Sequence, residues 1–327
     1  MRSLAKRVFA ERAVADLPQW SLIAERYPAV EWIDDYQTFR QTTVVREKEC
    51  LILARKRGRW LKPFHCYHQN PEFSYFSLDI AEGCYFDCVY CYLQNYLNHA
   101  ALVVFVDTES IAAELKEHRF RNLWLSTGLL TDSFLAERAF PILSSLTQLL
   151  PADSLLELRT KSHDTRPLED SAINKERVVV SWSLNPESIA RNFEYRTPSL
   201  QDRLLAIHKA IGLGYKIGLH LDPVFHFPAW REEYQDLWVQ LEKLPKERIA
   251  FLSVGLFRYM PDLGSVIRSR FPFHSILTGE FFPERDGKYH YFRPIRKEMY
   301  SAFSEWLQPW RNVAPVFWSM EPDGSLL

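Results

Sequence analysis

The chain has 327 residues, 40 Lys and Arg against 41 Asp and Glu, a 47% hydrophobic share and 14% aromatics. That apolar content without a charge excess excludes a disordered chain, only 11 Gly exclude a collagen-like one, and a net charge of −1 excludes coating nucleic acid by bulk charge. No apolar run reaches the roughly 18–20 residues that span a bilayer, and Glu11 and Asp16 interrupt the N-terminus before a signal-peptide centre can form, so a cytoplasmic location is expected.

Residues 1–75 read as an N-terminal extension. Helical patterning covers residues 5–15 and 22–27, and an extended stretch covers 42–53. A basic turn follows: Arg55, Lys56, Arg57, Arg59 and Lys62, with Trp60 among them. It suits either a nucleic-acid contact or a solvated charged turn. From residue 76 strands alternate with helices. The candidate strands are 76–81, 122–126, 155–161, 178–184, 216–221 and 250–256. Helical patterns cover 136–149, 199–213 and 230–244; the second opens on Ser199 with Asp202 three residues later and closes at Gly212 and Gly214. This rhythm predicts an α/β fold with parallel strands and right-handed crossovers over residues 76–260. Six units suit an open or partial barrel better than a complete eight-fold one. Residues 261–327 are left as a C-terminal region.

Three strands carry a polar face. Leu156 and Leu158 alternate with Glu157, Arg159 and Lys161. Val178, Val180, Trp182 and Leu184 alternate with Ser181, Ser183 and Asn185, and Ile217, Leu219 and Leu221 with Lys216, Gly218, His220 and Asp222. Side chains alternate across a strand. The apolar face meets the helices, so the polar face lines the barrel interior, as a binding chamber or as an internal ion-pair network.

The five cysteines are unevenly spread. Cys50 and Cys66 stand apart, while Cys84, Cys88 and Cys91 form a C-x3-C-x2-C run directly after the first barrel strand. Three close thiolates suit an iron–sulfur centre or, with a fourth ligand such as His65, His68 or His99, a structural zinc. A four-iron cubane held by three thiolates keeps one iron open to a small molecule. The end of a parallel strand is where such folds place their active sites.

This loop resembles that of the radical S-adenosylmethionine (SAM) superfamily, and Cys88-Val89-Tyr90-Cys91-Tyr92-Leu93-Gln94 resembles the cluster loop of the spore photoproduct lyase family. The likeness continues through Arg159-Thr160-Lys161, Ser181-Trp182-Ser183-Leu184-Asn185-Pro186 and Arg191-Asn192-Phe193-Glu194. It reaches Gly214-Tyr215, Asp222-Pro223-Val224-Phe225-His226 and Gly287-Lys288-Tyr289-His290-Tyr291, roughly residues 50–320 in all. The resemblance implies a partial (β/α)6 TIM-like barrel with an N-terminal extension and a C-terminal β-hairpin, helix and final strand. It implies a [4Fe–4S] cluster on Cys84, Cys88 and Cys91. SAM would be held by Ser126, Thr127, Lys161, Ser183 and Asn185 and cleaved by one electron, supplied by a flavodoxin or ferredoxin, to a 5′-deoxyadenosyl radical. Tyr90 and Tyr92 would handle hydrogen, although packing is the ordinary role of a tyrosine. The implied substrate is a thymine lesion in DNA, contacted by Arg285 at the tip of a hairpin over residues 281–291, by Tyr289 and by His226. Arg268, Arg270, Arg293, Arg296 and Lys297 could add phosphate contacts.

The family's hydrogen-donor Cys, which precedes a Thr/Ser-Asp pair, has no counterpart in Thr127-Gly128-Leu129-Leu130-Thr131-Asp132-Ser133. Two further readings stay open on that account. One is a radical SAM enzyme with another substrate. The other is a non-catalytic iron–sulfur protein that binds nucleic acid.

Overall fold

The computed structural model describes residues 5–64, 72–117 and 122–319. They divide into two compact units. The first comprises described residues 5–64, 72–86, 96–117 and 122–178, and the second 87–95 and 179–319. Cys66, His65 and His68 lie outside the described residues.

One sheet of the first unit is ordered Glu31–Ile33, Arg7–Glu11, Cys50–Ala54, Leu102–Phe105, Ala81–Glu82, parallel except for the last. Cys50–Ala54 and Leu102–Phe105 are buried along their whole length, so both are apolar on both faces. Two expectations fail here. Residues 7–11 form a strand, followed by the 3-10 turn Arg12–Val14, where a helix is predicted over 5–15. Partners on both edges satisfy the strand's backbone, and the Glu11 carboxylate accepts from the Tyr36 and Arg55 amides, so tertiary pairing overrides the local preference. The stretch 42–53 is not all extended either. Thr43 caps a short helix, Val44–Glu47, before the strand begins.

The first unit's other strands run Leu61–Pro63, Ser74–Leu78, Leu123–Ser126, Leu155–Thr160, the first pair antiparallel and the rest parallel. The helix predicted over 136–149 is two helices, Ser133–Ala139 and Leu143–Leu149. Pro141 forces the break. It has no amide hydrogen, and it drives Phe140 to extended backbone (φ −142°, ψ 102°).

The second unit carries the parallel strands Val178–Ser183 (from Val179 on), Lys216–Val224, Ile249–Leu256 and Val316–Trp318. Helices Glu187–Phe193, Leu200–Gly212 and Trp230–Leu241 make the returns. Ser199 caps the second of them, as its spacing from Asp202 predicts. Then come the helix Pro261–Arg270, a hairpin pairing Phe281–Pro283 with Tyr289–Tyr291, and the helix Arg293–Leu307. The side chains of Val180, Trp182, Leu184, Ile217, Leu219 and Leu221 are completely buried, which is the apolar face read from the alternation.

Candidate functional site

In the first unit the cysteine loop begins under tight steric control. Gly83 has φ +80°, and a Cβ there would lie 2.0 Å from the Ala101 carbonyl oxygen, so only glycine fits. Its amide donates to the Leu130 carbonyl at 2.9 Å. The Lys48 ammonium, drawn inward from the end of the Val44–Glu47 helix, donates to the carbonyls of Cys84 (3.0 Å) and Phe86 (2.8 Å). These bonds fix the main chain on either side of the first cysteine's neighbour, Tyr85.

The turn after strand Leu123–Ser126 is equally constrained. A Cβ on Gly128 would meet the Arg159 Cβ at 2.3 Å, so the turn lies flat on strand Leu155–Thr160. Asp132 is its hub. One carboxylate caps helix Ser133–Ala139 through the Phe134 and Leu135 amides, and also accepts from the Thr160 hydroxyl and the Lys161 amide (2.7 Å). Burial raises its carboxyl pKa, while these bonds pull the other way. The main chain of Lys161 is thereby set by Asp132. The Thr127 hydroxyl is bonded to Ser133 and to the Glu157 carbonyl. Ser126 differs: its hydroxyl is wholly buried and has no hydrogen-bond partner among the described residues. The same holds of the Thr131 hydroxyl. A buried polar atom left unbonded inside a folded protein calls for a ligand or a water.

In the second unit the loop continues as a two-residue ribbon. Asp87 and Cys88 pair antiparallel with Tyr195 and Glu194, and the Val89 amide donates to the Phe193 carbonyl. The Gln94 amide nitrogen donates to the carbonyls of Cys88 (3.1 Å) and Val89 (2.8 Å). Arg270 in turn donates to the Gln94 side chain and, from Nη2, to both Asp87 carboxylate oxygens at 3.1 Å. Tyr90 is buried and donates its phenol hydrogen to Glu194. Burial pushes that phenol's pKa well up, so it stays a neutral donor. Tyr92 is half exposed. Asn185 donates to Glu194 at 3.1 Å and accepts from the Tyr234 hydroxyl at 2.8 Å, which leaves its amide one N–H and one lone pair.

Strand register arranges the polar face into rows. In the first unit Ser77, Ser126 and Glu157 are in register, and in the second Ser183, His220 and Ser253 are. All six are buried. Part of this face is the ion-pair alternative, since Arg159 binds the Glu157 carboxylate at 3.2 Å. Ser126 is where it stays open.

The remaining candidates divide. Arg285 is exposed in the five-residue turn of the expected hairpin, flanked by two acids already paired, Glu284 with Arg296 and Asp286 with Lys288. Tyr289 stacks on Tyr259, and the His226 amide donates to the Tyr291 hydroxyl. The basic turn is largely absorbed by the fold. Lys56 is buried with its ammonium 3.8 Å from both Asp79 and Glu82, Arg57 pairs with Glu11 and Asp35, and Lys62 pairs with Asp79 at 2.8 Å. Trp60 is buried and donates to Ser110. Arg55 and Arg59 stay exposed. Arg270 is likewise committed to the buried Asp87 and Arg296 to Glu284 in the hairpin turn, whereas Arg268, Arg293 and Lys297 are exposed. Sequence reasoning passed over Lys48 and Arg203, which no spacing marks, and took Arg270, bound here to Asp87 and Gln94, for a phosphate contact. It quoted Asp132 and Glu194 within motifs without giving them a role.

The donor set fits an iron–sulfur cluster. Cys84, Cys88 and Cys91 form no disulfide. Among the described residues no three His, Cys, Asp or Glu side chains are gathered around a single-ion site. A cubane does not ask for that, because each thiolate binds its own iron.

A family model described as spore photoproduct lyase matches residues 62–302. Over 169 residues the chain is 28% identical to the spore photoproduct lyase of Clostridium acetobutylicum, half of each chain. Over 208 residues it is 26% identical to that of a Geobacillus species, 60% of each. The matched stretch thus spans half to three fifths of the length of these relatives. The fold likeness is longer. A solved spore photoproduct lyase complexed with dinucleoside spore photoproduct superposes with a TM-score of 0.81 at 22% identity, covering 96% of this chain and 98% of that one. A variant of the lyase with bound AdoMet and dinucleoside spore photoproduct gives 0.80 at 22% identity, covering 95% and 98%. The fold is therefore the α/β partial barrel of the radical SAM type.

Proposed function

Because this chain belongs to the spore photoproduct lyase family, and so to the radical SAM superfamily, we propose that it is a radical lyase that repairs the thymine photoproduct of DNA. The observation that carries this reading is the cysteine loop. Its main chain is bonded at Cys84 and Phe86 by Lys48, and at Cys88 and Val89 by Gln94 and the Glu194 ribbon, with all three thiols outside any disulfide. Supporting bonds of this kind orient ligands before loading.

A bound [4Fe–4S] cluster and SAM supply, on receipt of one electron, a 5′-deoxyadenosyl radical that abstracts hydrogen. Cys84, Cys88 and Cys91 hold the cluster. Ser126 binds SAM with its unpartnered hydroxyl, Lys161 from a main chain pinned by Asp132, and Ser183 and Asn185 from one strand end, Asn185 with the amide capacity it has left. Thr127 shapes the turn, its hydroxyl being taken. Tyr90 and Tyr92 handle hydrogen from the same loop. Arg285, with His226 and Tyr289 on and beside the hairpin, meets DNA, where the damaged bases leave the stack. A flavodoxin or ferredoxin supplies the electron.

Anaerobic reconstitution with iron and sulfide, followed by reductant, SAM and dinucleoside spore photoproduct, tests this. The expected products are 5′-deoxyadenosine and thymidine. Absence of 5′-deoxyadenosine would leave an iron–sulfur binding protein. 5′-Deoxyadenosine without thymidine would move the substrate elsewhere, as the leucine at position 130 in place of a thiol allows.

A further inference from the structure

Glu194 lies in the Arg191–Glu194 motif, and the reaction outlined above gives it no role. It is buried, and within the second unit it gathers groups from three elements. Its backbone pairs with Cys88. Its Oε1 accepts from the Tyr90 phenol and from the Asn185 amide. Its Oε2 is paired with Arg203, which is itself wholly buried. Arg203 then donates to the Ser183 carbonyl at 3.1 Å, to the Thr197 hydroxyl and to the Pro198 carbonyl. One carboxylate therefore joins the cysteine loop, the end of strand Val178–Ser183 and the helix Leu200–Gly212.

A buried ion pair of this sort is a poor way to gain stability. Matched apolar side chains often serve as well, and removing one partner leaves a stranded charge. What it supplies is direction. Tyr90 has one hydrogen to donate, and its bond to Oε1 sets where the ring points. The Asn185 amide can be turned either way about its last torsion. A carboxylate accepts only, so the NH2 must face Glu194 and the oxygen must face Tyr234. Arg203 stops the carboxylate from rotating.

We propose that Glu194 is a positioning residue that aims the Tyr90 phenol and the Asn185 amide through one shared carboxylate oxygen, so that SAM binding and hydrogen handling are set by a single group. This rests on the radical SAM function proposed above. It goes further in coupling the two residues to each other.

The test is a double-mutant cycle on the reconstituted holoenzyme with Tyr90→Phe, Asn185→Ala and both together. It leaves the Glu194–Arg203 pair in place. Iron per chain should match the parent in all three. Each single variant should raise KM for SAM, and the double variant should fall short of the product of the two effects by about fivefold or more, because losing either donor already lets the shared oxygen shift away from the place where it aims the other. Effects that multiply within twofold would overturn the coupling. A second variant, Glu194→Leu with Arg203→Met, removes both charges and the shared acceptor oxygen while keeping the site filled. It should raise KM for SAM about tenfold at unchanged iron content, and a KM within twofold of the parent would overturn the proposal. A third readout needs neither cluster nor SAM. Ultraviolet resonance Raman of the apoprotein should show a tyrosine donating a strong hydrogen bond, lost in the Glu194/Arg203 variant. Its absence from the parent would overturn the proposed geometry. Its presence in a protein that never cleaves SAM would fail the enzymatic reading alone.

Discussion

At the scale of single residues, the most informative atom is the Ser126 hydroxyl. It is wholly buried, and none of the described residues bonds it. An unsatisfied buried hydroxyl costs the fold about 1–3 kcal/mol. Ser126→Ala should therefore leave the melting temperature of the ligand-free protein unchanged or raise it, while raising KM for SAM about tenfold (~1.4 kcal/mol). Calorimetry and steady-state kinetics read the two effects, and a lower melting temperature with an unchanged KM would make Ser126 a packing residue. Its neighbour Thr127 shows why types of residue do not suffice. Both are small hydroxyls at the end of one strand, yet Thr127 spends its oxygen on Ser133 and Glu157. The sequence marked the pair; only the register with Ser77 and Glu157 separated their roles.

At the scale of elements, the break after Ala139 has an electrostatic consequence. Pro141 ends the first helix, and the Glu137 carboxylate reaches forward to accept from the Ile142 and Leu143 amides that begin the next. Burial pushes the Glu137 carboxyl up to about 7, against an ordinary value of 4.5. The native state thus binds the proton more tightly than the unfolded chain. Linkage then makes this group's contribution fully present below about pH 4.5, lost as the pH rises through about 7, and constant above that. Glu137→Gln keeps an acceptor oxygen without the charge. It should remove at most about 3 kcal/mol of stability loss between those limits, seen as a flatter pH dependence of urea midpoints. An unchanged slope would place the carboxylate in solvent. The break itself could be read from Pro141. The role of Glu137 could not, because a lone Glu in a helix is ordinarily solvated. The strand at Arg7–Glu11 marks the opposite limit, since its two partner strands lie 22 and 43 residues away in register.

For the whole molecule, the balanced charge turns out to be arranged as internal pairs as well as surface ones. Lys56 sits buried between Asp79 and Glu82, and burial lowers its ammonium pKa against their attraction. Lys56→Met would leave Asp79 with Lys62 alone and Glu82 with only His99 beside it, and should cost about 3 kcal/mol. Arg59→Ala, at an exposed position of the same run, should cost less than about 0.5 kcal/mol. Equilibrium urea unfolding of the two variants decides it; equal effects would mean that the run is a solvated patch after all. Of the basic residues considered for phosphate contact, Arg55, Arg59, Arg268, Arg285, Arg293 and Lys297 are exposed and remain available to the DNA of the proposed function. None of the helices among the described residues is long and apolar enough to cross a membrane.

Local order alone determined a good deal here. Strand–helix alternation gave the α/β class, the period-two polarity gave the polar face, and the C-x3-C-x2-C run with its trailing motifs gave the family. Each signal is carried by neighbours a few residues apart. Tertiary structure alone decided which charges are spent. No local pattern marks Lys48 or Arg203, and Arg270 reads in the sequence as a phosphate contact, but the three bond the cysteine loop and the end of strand Val178–Ser183 from positions 36 or more (Lys48), 176 or more (Arg270) and 20 (Arg203) residues away. A buried charge is tolerated only where a partner is waiting, and a partner so distant along the chain exists only once the chain has folded.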